Sequence, residues 1–505
     1  MSRSRPPLPP VSASQPWYAL STSRLMIGVL FVLLFIIAAR IPVDTDTWWH
    51  VRIGQQIVAT HSIPFSDSFS FTKVGAPWID QSWLAQIVLY GVYAAFGSVG
   101  LALFTAVLAT VGMAFVFATC RGSVYMRGFV AILSAATAAV FWSARPQMFS
   151  FTFSAITLYL IYRYVRQPDS TGRRELWLLV PLLALWVNLH SGFAIAFIFL
   201  GAALAGTLIN RPARRPTTSV RPLLLVTLIG IAALLINPYT VQMLAYPFQT
   251  AGIGALQQSI REWASPNFHE RETWPFLLLL FGLLAAAGFS RRGWDWVDLA
   301  LVVASAVLAL VWQRNFAVFA VAVAPALCDH LDTILANLHI ALPESAAPTG
   351  SRRGVNLSIL AGLILVAAFK LSVALNPTTI AEAQRAYLPV EAATYLQTAA
   401  PAGPLFNSYN WGGYLMFAAP RYPVFIDGRT DLYGSAFFDQ WQQAINGIGW
   451  QALFSQWGIR LAVIERDSVL AAALRTDPAW AETHSDPLAS VFEYHGSTPV
   501  KGSTP

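Results

Sequence analysis

Long apolar segments separated by short polar connectors dominate the chain between residues 25 and 375. Each segment is close to the roughly 20 residues that an α-helix needs to cross a bilayer. The pattern predicts a polytopic α-helical membrane protein with about 11 spans. The predicted spans are 25–41, 98–119, 128–143, 147–166, 176–190, 191–209, 222–237, 275–289, 297–312, 315–331 and 355–374.

The basic residues of these connectors predict the topology. They are Arg121, Arg127, Arg163, Arg166, Arg173, Arg174, Arg211, Arg214, Arg215, Arg221, Arg291, Arg292, Arg352 and Arg353. All of them fall on the cytoplasmic side, as the positive-inside rule requires, if the shorter apolar stretch 83–96 does not cross. We therefore interpret 83–96 as a juxtamembrane or re-entrant helix, which places the C-terminus outside the cytoplasm.

A Pro- and Ser-rich basic leader, residues 1–24, precedes the first span. Its length and its prolines are untypical of the basic region of a cleaved signal peptide. We predict an uncleaved signal anchor with a cytoplasmic N-terminus, in a multi-pass protein of the plasma membrane. The transmembrane part is then 25–375, and its first extracytoplasmic loop is 42–97.

The composition changes beyond Leu375, where residues 376–505 carry Pro, Gly, Asn and Asp at the frequency of a soluble domain. Helical patterns there alternate with short strand-like runs, which predicts a small extracytoplasmic α/β domain. The predicted helices are 389–399, 450–458 and 468–476, and the predicted strands are 423–429, 460–465 and 490–494.

Composition supports the membrane class and excludes others. The 505 residues are 56% hydrophobic and 11% charged, with a mean hydropathy of +0.53, whereas soluble proteins are about 25% charged. The net charge of +7 follows from the connectors, so we expect no nucleic-acid partner. Two cysteines, Cys120 and Cys328, offer neither a disulfide framework nor a metal-ligand spacing.

Two carboxylates one residue apart, Asp44 and Asp46, follow directly on the first span. Acidic groups at a helix exit, flanked by tryptophans that favour the headgroup layer, suit a site that takes a lipid-borne substrate from the bilayer. The same pattern also fits an aromatic belt with two solvated aspartates. The candidate substrate-binding residues of this loop are Trp49, His50, Arg52 and Asp80.

Polar residues at the non-basic ends of the spans fall on the same side as the first loop. They are Arg145, Asn188, His190, Asn237, Arg314 and Asn315, joined by Arg261, Glu262, Asn267, His269 and Glu270 between spans seven and eight. A charge at a helix centre costs roughly 2.5–3.5 kcal/mol, so this collection predicts a single polar cavity. Alternatively, Asn237 caps a helix end and Arg145 snorkels to the interface.

The stretch 407–433 is the most informative part of the predicted outer domain. Its paired glycines, Gly412 and Gly413, permit close backbone approach. The run FIDGRTD within it could be a turn with a salt bridge, but its glycine-rich aromatic neighbourhood favours a substrate-binding edge. The candidate binding residues are Tyr409, Trp411, Asp427, Arg429 and Asp431.

Two of these segments resemble motifs of GT-C glycosyltransferases. DTDTWWHVRIGQQI, beginning at Asp44, is similar to the first-loop D-x-x-F/W-x-x-R element of the oligosaccharyltransferase catalytic subunit. YNWGGY with RYPVFIDGRTD resembles that subunit's W-W-D-Y-G segment and the strand after it. Asn410 and Gly412 depart from the motif, so recognition of an asparagine sequon does not carry over. The architecture is also similar to that of polyprenyl-phosphate mannosyl- and arabinosyltransferases.

The resemblance implies sugar transfer from a polyprenyl phosphate or diphosphate donor, a membrane lipid, to a glycan, lipid or protein acceptor outside the cytoplasm. Such a reaction needs a carboxylate that takes the acceptor proton and a cation or metal that stabilises the leaving phosphate. Asp46, further into the loop, is preferred over Asp44 as the base. The candidate phosphate binders are Arg52, Arg145, Arg314 and Arg429.

Histidines and acidic groups leave a metal open. His50, His190 and His269 could be metal ligands, phosphate hydrogen-bond donors or structural residues. A Mg²⁺ or Mn²⁺ site would use carboxylates and water, and the first candidates are Asp44, Asp46 and Glu262. Nothing in their spacing demands a metal.

Two other classes of function remain as alternatives. A transporter or flippase of a lipid-linked or polar solute predicts polar residues at mid-membrane and an internal repeat, and the sequence pattern shows neither. A non-catalytic glycan-binding membrane protein would tolerate loss of Asp44 or Asp46. The glycosyltransferase interpretation is therefore favoured.

Overall fold

The computed structural model describes residues 20–167, 169–210, 219–342 and 350–496. Its helices are α1 (Thr22–Ala38), α2 (Asp46–Thr60), α3 (Trp83–Thr119), α4 (Val124–Ala138), α5 (Gln147–Arg166), α6 (Ser170–Leu176), α7 (Leu179–Leu189), α8 (Ala194–Asn210), α9 (Val220–Ala233), α10 (Gln242–Ala251), α11 (Gly254–Ser259), α12 (Trp274–Ser290), α13 (Trp296–Val311), α14 (Phe316–Asn337), α15 (Gly350–Ala374), α16 (Pro377–Tyr387), α17 (Val390–Ala399), α18 (Tyr409–Ala418), α19 (Thr430–Ile445), α20 (Trp450–Trp457) and α21 (Val469–Thr476). Its strands are β1 (Leu405–Asn407), β2 (Leu461–Glu465), β3 (Trp480–Ser485) and β4 (Ala489–Tyr494). Residues 1–19 of the predicted leader, and Arg211, Arg214 and Arg215 of one basic connector, lie outside the described residues.

Six helical segments in the described ranges are long and apolar enough to cross a membrane. They are Trp83–Thr119, Val124–Phe141, Ser191–Asn210, Arg271–Ser290, Gln313–Asn337 and Arg352–Ala374. The helices α1, α9 and α13 are apolar but shorter. The chain is therefore a mostly helical membrane protein, while the total of about 11 spans and the side of each terminus stay predictions.

Side-chain caps set several helix ends near the connectors. Ser123 accepts a hydrogen bond from the backbone N–H of Met126 at 3.2 Å and begins α4. Asp295 does the same for Val297 at 2.9 Å and begins α13. Such caps satisfy N–H groups that have no partner inside the helix. The connectors therefore fix where the helices start as well as where the positive charge lies.

Helix α3 is kinked at Gly97, whose φ of 59° and ψ of −150° no residue in a regular helix adopts. Glycine tolerates this positive φ because it has no Cβ. The kink separates the two segments, 83–96 and 98–119, that the hydropathy pattern distinguishes. The first of them packs on α2, where Gly54 lies directly against the backbone of Gln86.

A four-stranded sheet with the order β1-β2-β4-β3 follows α15. Strand β1 pairs in parallel with β2, and the other two pairs are antiparallel. The predicted helices at 389–399, 450–458 and 468–476 are confirmed as α17, α20 and α21, and the strands at 460–465 and 490–494 as β2 and β4. Sequence patterns missed β1 and β3.

The predicted strand at 423–429 is wrong. This segment makes one isolated bridge, between Val424 and Ser70, and otherwise pairs with no strand in the described part of the chain. The side-chain amide of Asn407 takes the place of a neighbouring strand. It accepts a hydrogen bond from the N–H of Phe425 and donates one to the carbonyl of Ile426, both at 2.8 Å. The backbone is thus satisfied without a ladder.

The paired glycines of helix α18 allow two close contacts, of Gly412 with the 426–427 segment and of Gly413 with the start of α2. A Cβ at Gly412 would overlap the carbonyl oxygen of Ile426, and one at Gly413 would lie 2.8 Å from the carbonyl oxygen of Thr45. The close approach that the glycine pair predicts is therefore confirmed. It brings the segment after α18 against the first turn of α2.

We predict that Gly412→Ala lowers the melting temperature of the detergent-purified protein, because the added methyl forces α18 away from residues 426–427. Overpacking of this kind costs about 1–3 kcal/mol. The matched control is Gly282→Ala in α12, where a Cβ meets nothing within 4 Å. Equal melting temperatures for the two variants would show that α18 is free to shift.

Candidate active site

A cavity of about 320 Å³ opens where the first loop meets the start of α19 and the loop of residues 260–273 between α11 and α12, called the 260s loop. This volume lies within the usual range of small-molecule sites. Ten of the candidate residues line it together: Asp46, Trp49, His50, Arg145, His190, Glu262, Arg314, Tyr409, Arg429 and Asp431. The remaining walls are mainly apolar side chains from the membrane helices, among them Phe151, Ile198, Leu308 and Val318. We call it the polar cavity.

Six other candidates are not part of the cavity lining, and two of them, Asp44 and Asp427, bind Arg145 and Arg429. Arg52 donates to Gln55 on its own helix at 2.9 Å, and His269 is exposed on the 260s loop. Trp411 is buried in the interface between α2 and α18. Asp80 is buried, and its carboxylate accepts a hydrogen bond from Gln86 at 2.7 Å. The structure therefore gives these four residues no direct contact with a ligand in the cavity.

The guanidinium of Arg145 is the centre of the site. It contacts Asp44 and Asp46 at 3.2 Å each and Glu262 at 3.4 Å. The four side chains are only 17–26% exposed, so water weakens these attractions less than it would on an open surface. Arg145 thus joins the loop after the 139–141 turn to the first loop and the 260s loop.

Asp46 faces the cavity from a helix terminus. It is the first residue of α2 and carries its carboxylate where the helix dipole favours negative charge. Its Oδ1 accepts a hydrogen bond from the indole N–H of Trp49 at 3.1 Å. Asp44 instead accepts from the backbone N–H of Asp46 at 3.0 Å. Asp44 therefore holds the loop, and Asp46 faces the ligand space.

Two of the three carboxylates that contact Arg145 have pKa values shifted in opposite directions. Burial raises the pKa of Asp46 to about 6, and nearby Asp44 adds to the effect, although Arg145 opposes it. Burial also acts on Glu262, but Arg145 and Arg314 outweigh it and lower that pKa. Asp46 is therefore the group able to gain a proton near neutral pH, while Glu262 stays ionised.

Arg314 has donor capacity left for a ligand. Its guanidinium lies 4.1 Å from the ring of Trp263 and 3.9 Å from Glu262, which is beyond hydrogen-bond distance. Gln313 anchors the turn by donating to the carbonyl of Arg261 at 2.8 Å. Among the candidate arginines, Arg314 is thus the best placed to meet an anion in the cavity.

The metal hypothesis does not fit this arrangement. Arg145 lies between Asp44, Asp46 and Glu262 and satisfies the carboxylates that would have been the ligands. In the described ranges, no group of three or more His, Cys, Asp or Glu side chains is arranged to hold a metal ion. We therefore derive no step through Mg²⁺ or Mn²⁺.

Arg429 is committed to structure rather than to phosphate. Its fully buried guanidinium contacts Asp427 and Asp67, each at 2.7 Å. Asp67 belongs to the first loop, so this pair ties the first loop to the segment before α19. Of the two interpretations of FIDGRTD, the turn with a salt bridge describes Asp427 and Arg429, because their side chains turn inward to this ion pair.

Tryptophans of the first loop do not form a lipid-facing belt. Trp48 is 2% exposed and packs against Tyr414 and Phe417 of α18, with ring centroids 5.6 and 5.0 Å apart. Trp49 is 7% exposed and faces the cavity. Their burial between α2 and α18 explains why two adjacent indoles follow the acidic pair.

Sequence patterns missed several residues that line the cavity. They are Trp78, Ser150, Tyr246, Trp263 and Trp312. Trp78 and Tyr246 both donate to Asp431, at 3.2 and 3.1 Å. None lies in a motif, although Trp263 follows Glu262 directly. The aromatic faces of the three tryptophans and of Tyr246 suit a sugar ring, which offers C–H groups for stacking.

No protein-family model and no curated protein matches the chain, but solved structures do. ArnT from Cupriavidus metallidurans in the apo state aligns with 93% of this chain and 97% of its own, at 15% identity and a TM-score of 0.50. The Archaeoglobus fulgidus oligosaccharyltransferase tethered with an acceptor peptide aligns with 88% of this chain and 69% of its own, at 13% identity and a TM-score of 0.55. The apo form of that oligosaccharyltransferase aligns with 90% of this chain and 70% of its own, at 13% identity and a TM-score of 0.53.

The chain has the GT-C fold. The expected GT-C architecture is thereby confirmed, while the likeness of the first loop and the 407–433 segment to GT-C motifs stays a prediction. In this fold the acidic first loop and the segment after α18 meet at one cavity, where Asp46 of the first loop lies against Gly428.

We predict that Arg429→Gln destabilises the protein by about 3–5 kcal/mol, because it leaves Asp427 and Asp67 buried without a cation. Arg475→Gln is the matched control. Its pair with Glu482 is 27–35% exposed, and such pairs contribute only about 0–1 kcal/mol. The melting temperatures of the two purified variants test this prediction. A similarly small shift in both would mean that the ion pairs of Arg429 with Asp427 and Asp67 contribute little to stability.

Proposed function

We propose that this protein is a glycosyltransferase that moves a sugar from a polyprenyl phosphate or diphosphate donor to an acceptor outside the cytoplasm. One observation carries the proposal. A carboxylate with a pKa of about 6, Asp46, and an arginine with donors to spare, Arg314, line the same cavity. These are the two charges that displacement of a phosphate from a sugar requires.

Asp46 acts as the base in this proposal. It takes the proton from the acceptor hydroxyl as that oxygen bonds to the anomeric carbon of the donor sugar. The bond from that carbon to the phosphate oxygen breaks at the same time, and the phosphate leaves with the electron pair. Arg314 donates hydrogen bonds to the leaving phosphate, whose charge increases in the transition state. Arg145 keeps Asp46 oriented.

The mixed character of the cavity supports a lipid-linked donor. Its charged side chains come from the first loop and the 260s loop, whereas its apolar lining comes from the membrane helices α5, α8, α13 and α14. A polyprenyl tail would lie along the apolar walls while its phosphate and sugar meet the charged groups.

The GT-C neighbours agree with this class of reaction, since an oligosaccharyltransferase by its name transfers oligosaccharides. The acceptor peptide with the NVT sequon belongs to the Archaeoglobus fulgidus protein. We do not extend it to this chain, because Asn410 and Gly412 interrupt the corresponding motif.

We predict that Asp46→Asn lowers kcat by about 10²–10⁴-fold, the usual contribution of a general base. The measurement is release of polyprenyl phosphate from polyprenyl-phosphate sugars by the purified protein, with water taking the place of the acceptor hydroxyl. Asp44→Asn is the matched control, since it keeps an oxygen for the N–H of Asp46 and lies outside the cavity lining. Its kcat should fall less. Equal turnover in wild type and both variants would exclude Asp46 as the base.

The pH profile of wild type follows from the same pKa. A base must be ionised, and the ionised fraction of a group with a pKa of about 6 falls tenfold per unit below that pH. We expect kcat/KM to rise with pH through about pH 6 and then level off, because kcat/KM reports the pKa of the free enzyme. An inflection near the ordinary aspartate value, about 4, would mean that the base has an unshifted pKa, contrary to the assignment of Asp46.

We predict that Arg314→Met lowers kcat/KM for the donor by about 10- to 100-fold, because hydrogen bonds to a charged group contribute about 1.5–3 kcal/mol. Arg261→Met is the control on the same loop. Its side chain is 59% exposed and pairs with Glu270 and Glu272 away from the cavity lining. A kcat/KM unchanged by Arg314→Met would remove Arg314 from the phosphate site.

A further inference from the structure

His190 is held in one orientation at the wall of the polar cavity. It lies between α7 and the 191–193 turn, where α7 ends. Its Nδ1 accepts a hydrogen bond from the backbone N–H of Gly192 at 3.1 Å and lies 2.7 Å from the hydroxyl of Ser150. The indole of Trp186 in turn donates to that hydroxyl at 2.8 Å. Three residues thus support one ring nitrogen.

This arrangement fixes the proton on His190. A backbone N–H can only donate, so Nδ1 must be unprotonated and accept. An indole N–H can only donate as well, so Ser150 accepts from Trp186 and its own hydrogen is free to point at Nδ1. The imidazole proton therefore resides on Nε2.

The local sequence is built for this contact. A Cβ at Gly192 would overlap the hydroxyl of Ser150 and lie 2.9 Å from Nδ1 of His190. Glycine at that position lets its N–H reach the ring. Trp186 is fully buried, so the indole that supports Ser150 cannot turn away.

The opposite nitrogen, Nε2, faces the ligand space. His190 and Ser150 both line the polar cavity, and Nε2 has no hydrogen-bond partner in the part of the chain that the structure describes. It is also not among the buried unpaired atoms, so it is open to the cavity. Arg314 and Arg145 line the same cavity. A neutral N–H donor beside two guanidiniums is suited to an anion.

We propose that His190 donates its Nε2–H to a non-bridging oxygen of the donor phosphate, with Ser150, Trp186 and Gly192 as positioning residues that fix its tautomer. The inference rests on the proposed function and adds to it. It gives the phosphate a second, uncharged donor beside Arg314. It also assigns a role to Ser150, which no sequence motif marks.

Binding of polyprenyl monophosphate to the full-length protein in detergent, followed by ³¹P NMR, tests the contact. His190→Ala should weaken binding about 10- to 100-fold, the effect of losing a hydrogen bond to a charged group. His190→Gln should recover most of that loss, because its amide nitrogen reaches the position of Nε2. His190→Asn should not, since its shorter amide reaches the position of Nδ1. A merely structural histidine would not rank the variants in this order.

The tautomer has its own readout. In ¹⁵N-histidine-labelled protein, the two signals that disappear in His190→Gln should show a protonated Nε2 and an unprotonated Nδ1. Polyprenyl monophosphate should shift the Nε2 signal. Ser150→Ala should move the Nδ1 signal and weaken binding. Ser290→Ala is the matched control, because Ser290 pairs with Nδ1 of His330 at 2.8 Å in the same way but outside the cavity lining.

The outcomes separate this inference from the proposed function. A protonated Nδ1, or wild-type affinity in His190→Ala, would overturn the role of His190 while the transferase proposal stands. Absence of polyprenyl monophosphate binding by wild type would overturn both. Weak binding in His190→Ala and His190→Asn, restored in His190→Gln, with a protonated Nε2, would support the inference.

Discussion

The contact of one guanidinium with three carboxylates governs the site. Arg145 meets Asp44, Asp46 and Glu262 in a partly buried setting, where three negative charges without a cation would repel one another strongly. Its side chain fixes the distances between three loops that no helix packing would define. The shifted pKa of Asp46 follows from this balance, because burial raises it further than the single shared cation lowers it.

A second constraint is the close packing of the first loop on the segment after α18. Glycines at 412, 413 and 428 leave no room for side chains, and the buried pair of Arg429 with Asp67 crosses the same boundary. Asp46 lies directly against Gly428. The position of the proposed base therefore depends on residues more than 350 positions away, and the glycine-rich segment serves close packing.

The cavity divides its tasks by chemistry. The charged groups lie on the loops. Aromatic rings such as those of Trp78 and Trp263 offer flat apolar faces, and the membrane helices supply an apolar wall. His190 adds a neutral donor whose tautomer is set by groups outside the cavity centre. Such support from neighbouring residues is what keeps a ligand-binding group in a single orientation.

Periodicity and composition alone determined the membrane class, the kink region near residue 97, helices α17, α20 and α21, and strands β2 and β4, since these depend on local patterns of apolar residues. Sequence also brought Asp46, Arg145, Glu262 and Arg314 forward, because charged groups beside apolar runs are rare. Only the tertiary structure decided what each does. The side chain of Arg429 points inward because it pairs with Asp67. The 423–429 segment is a loop because the side chain of Asn407 satisfies its backbone. Arg145 binds the carboxylates that were candidate metal ligands. Each outcome depends on a partner distant in sequence, and no local pattern encodes which distant charge or amide a side chain will meet.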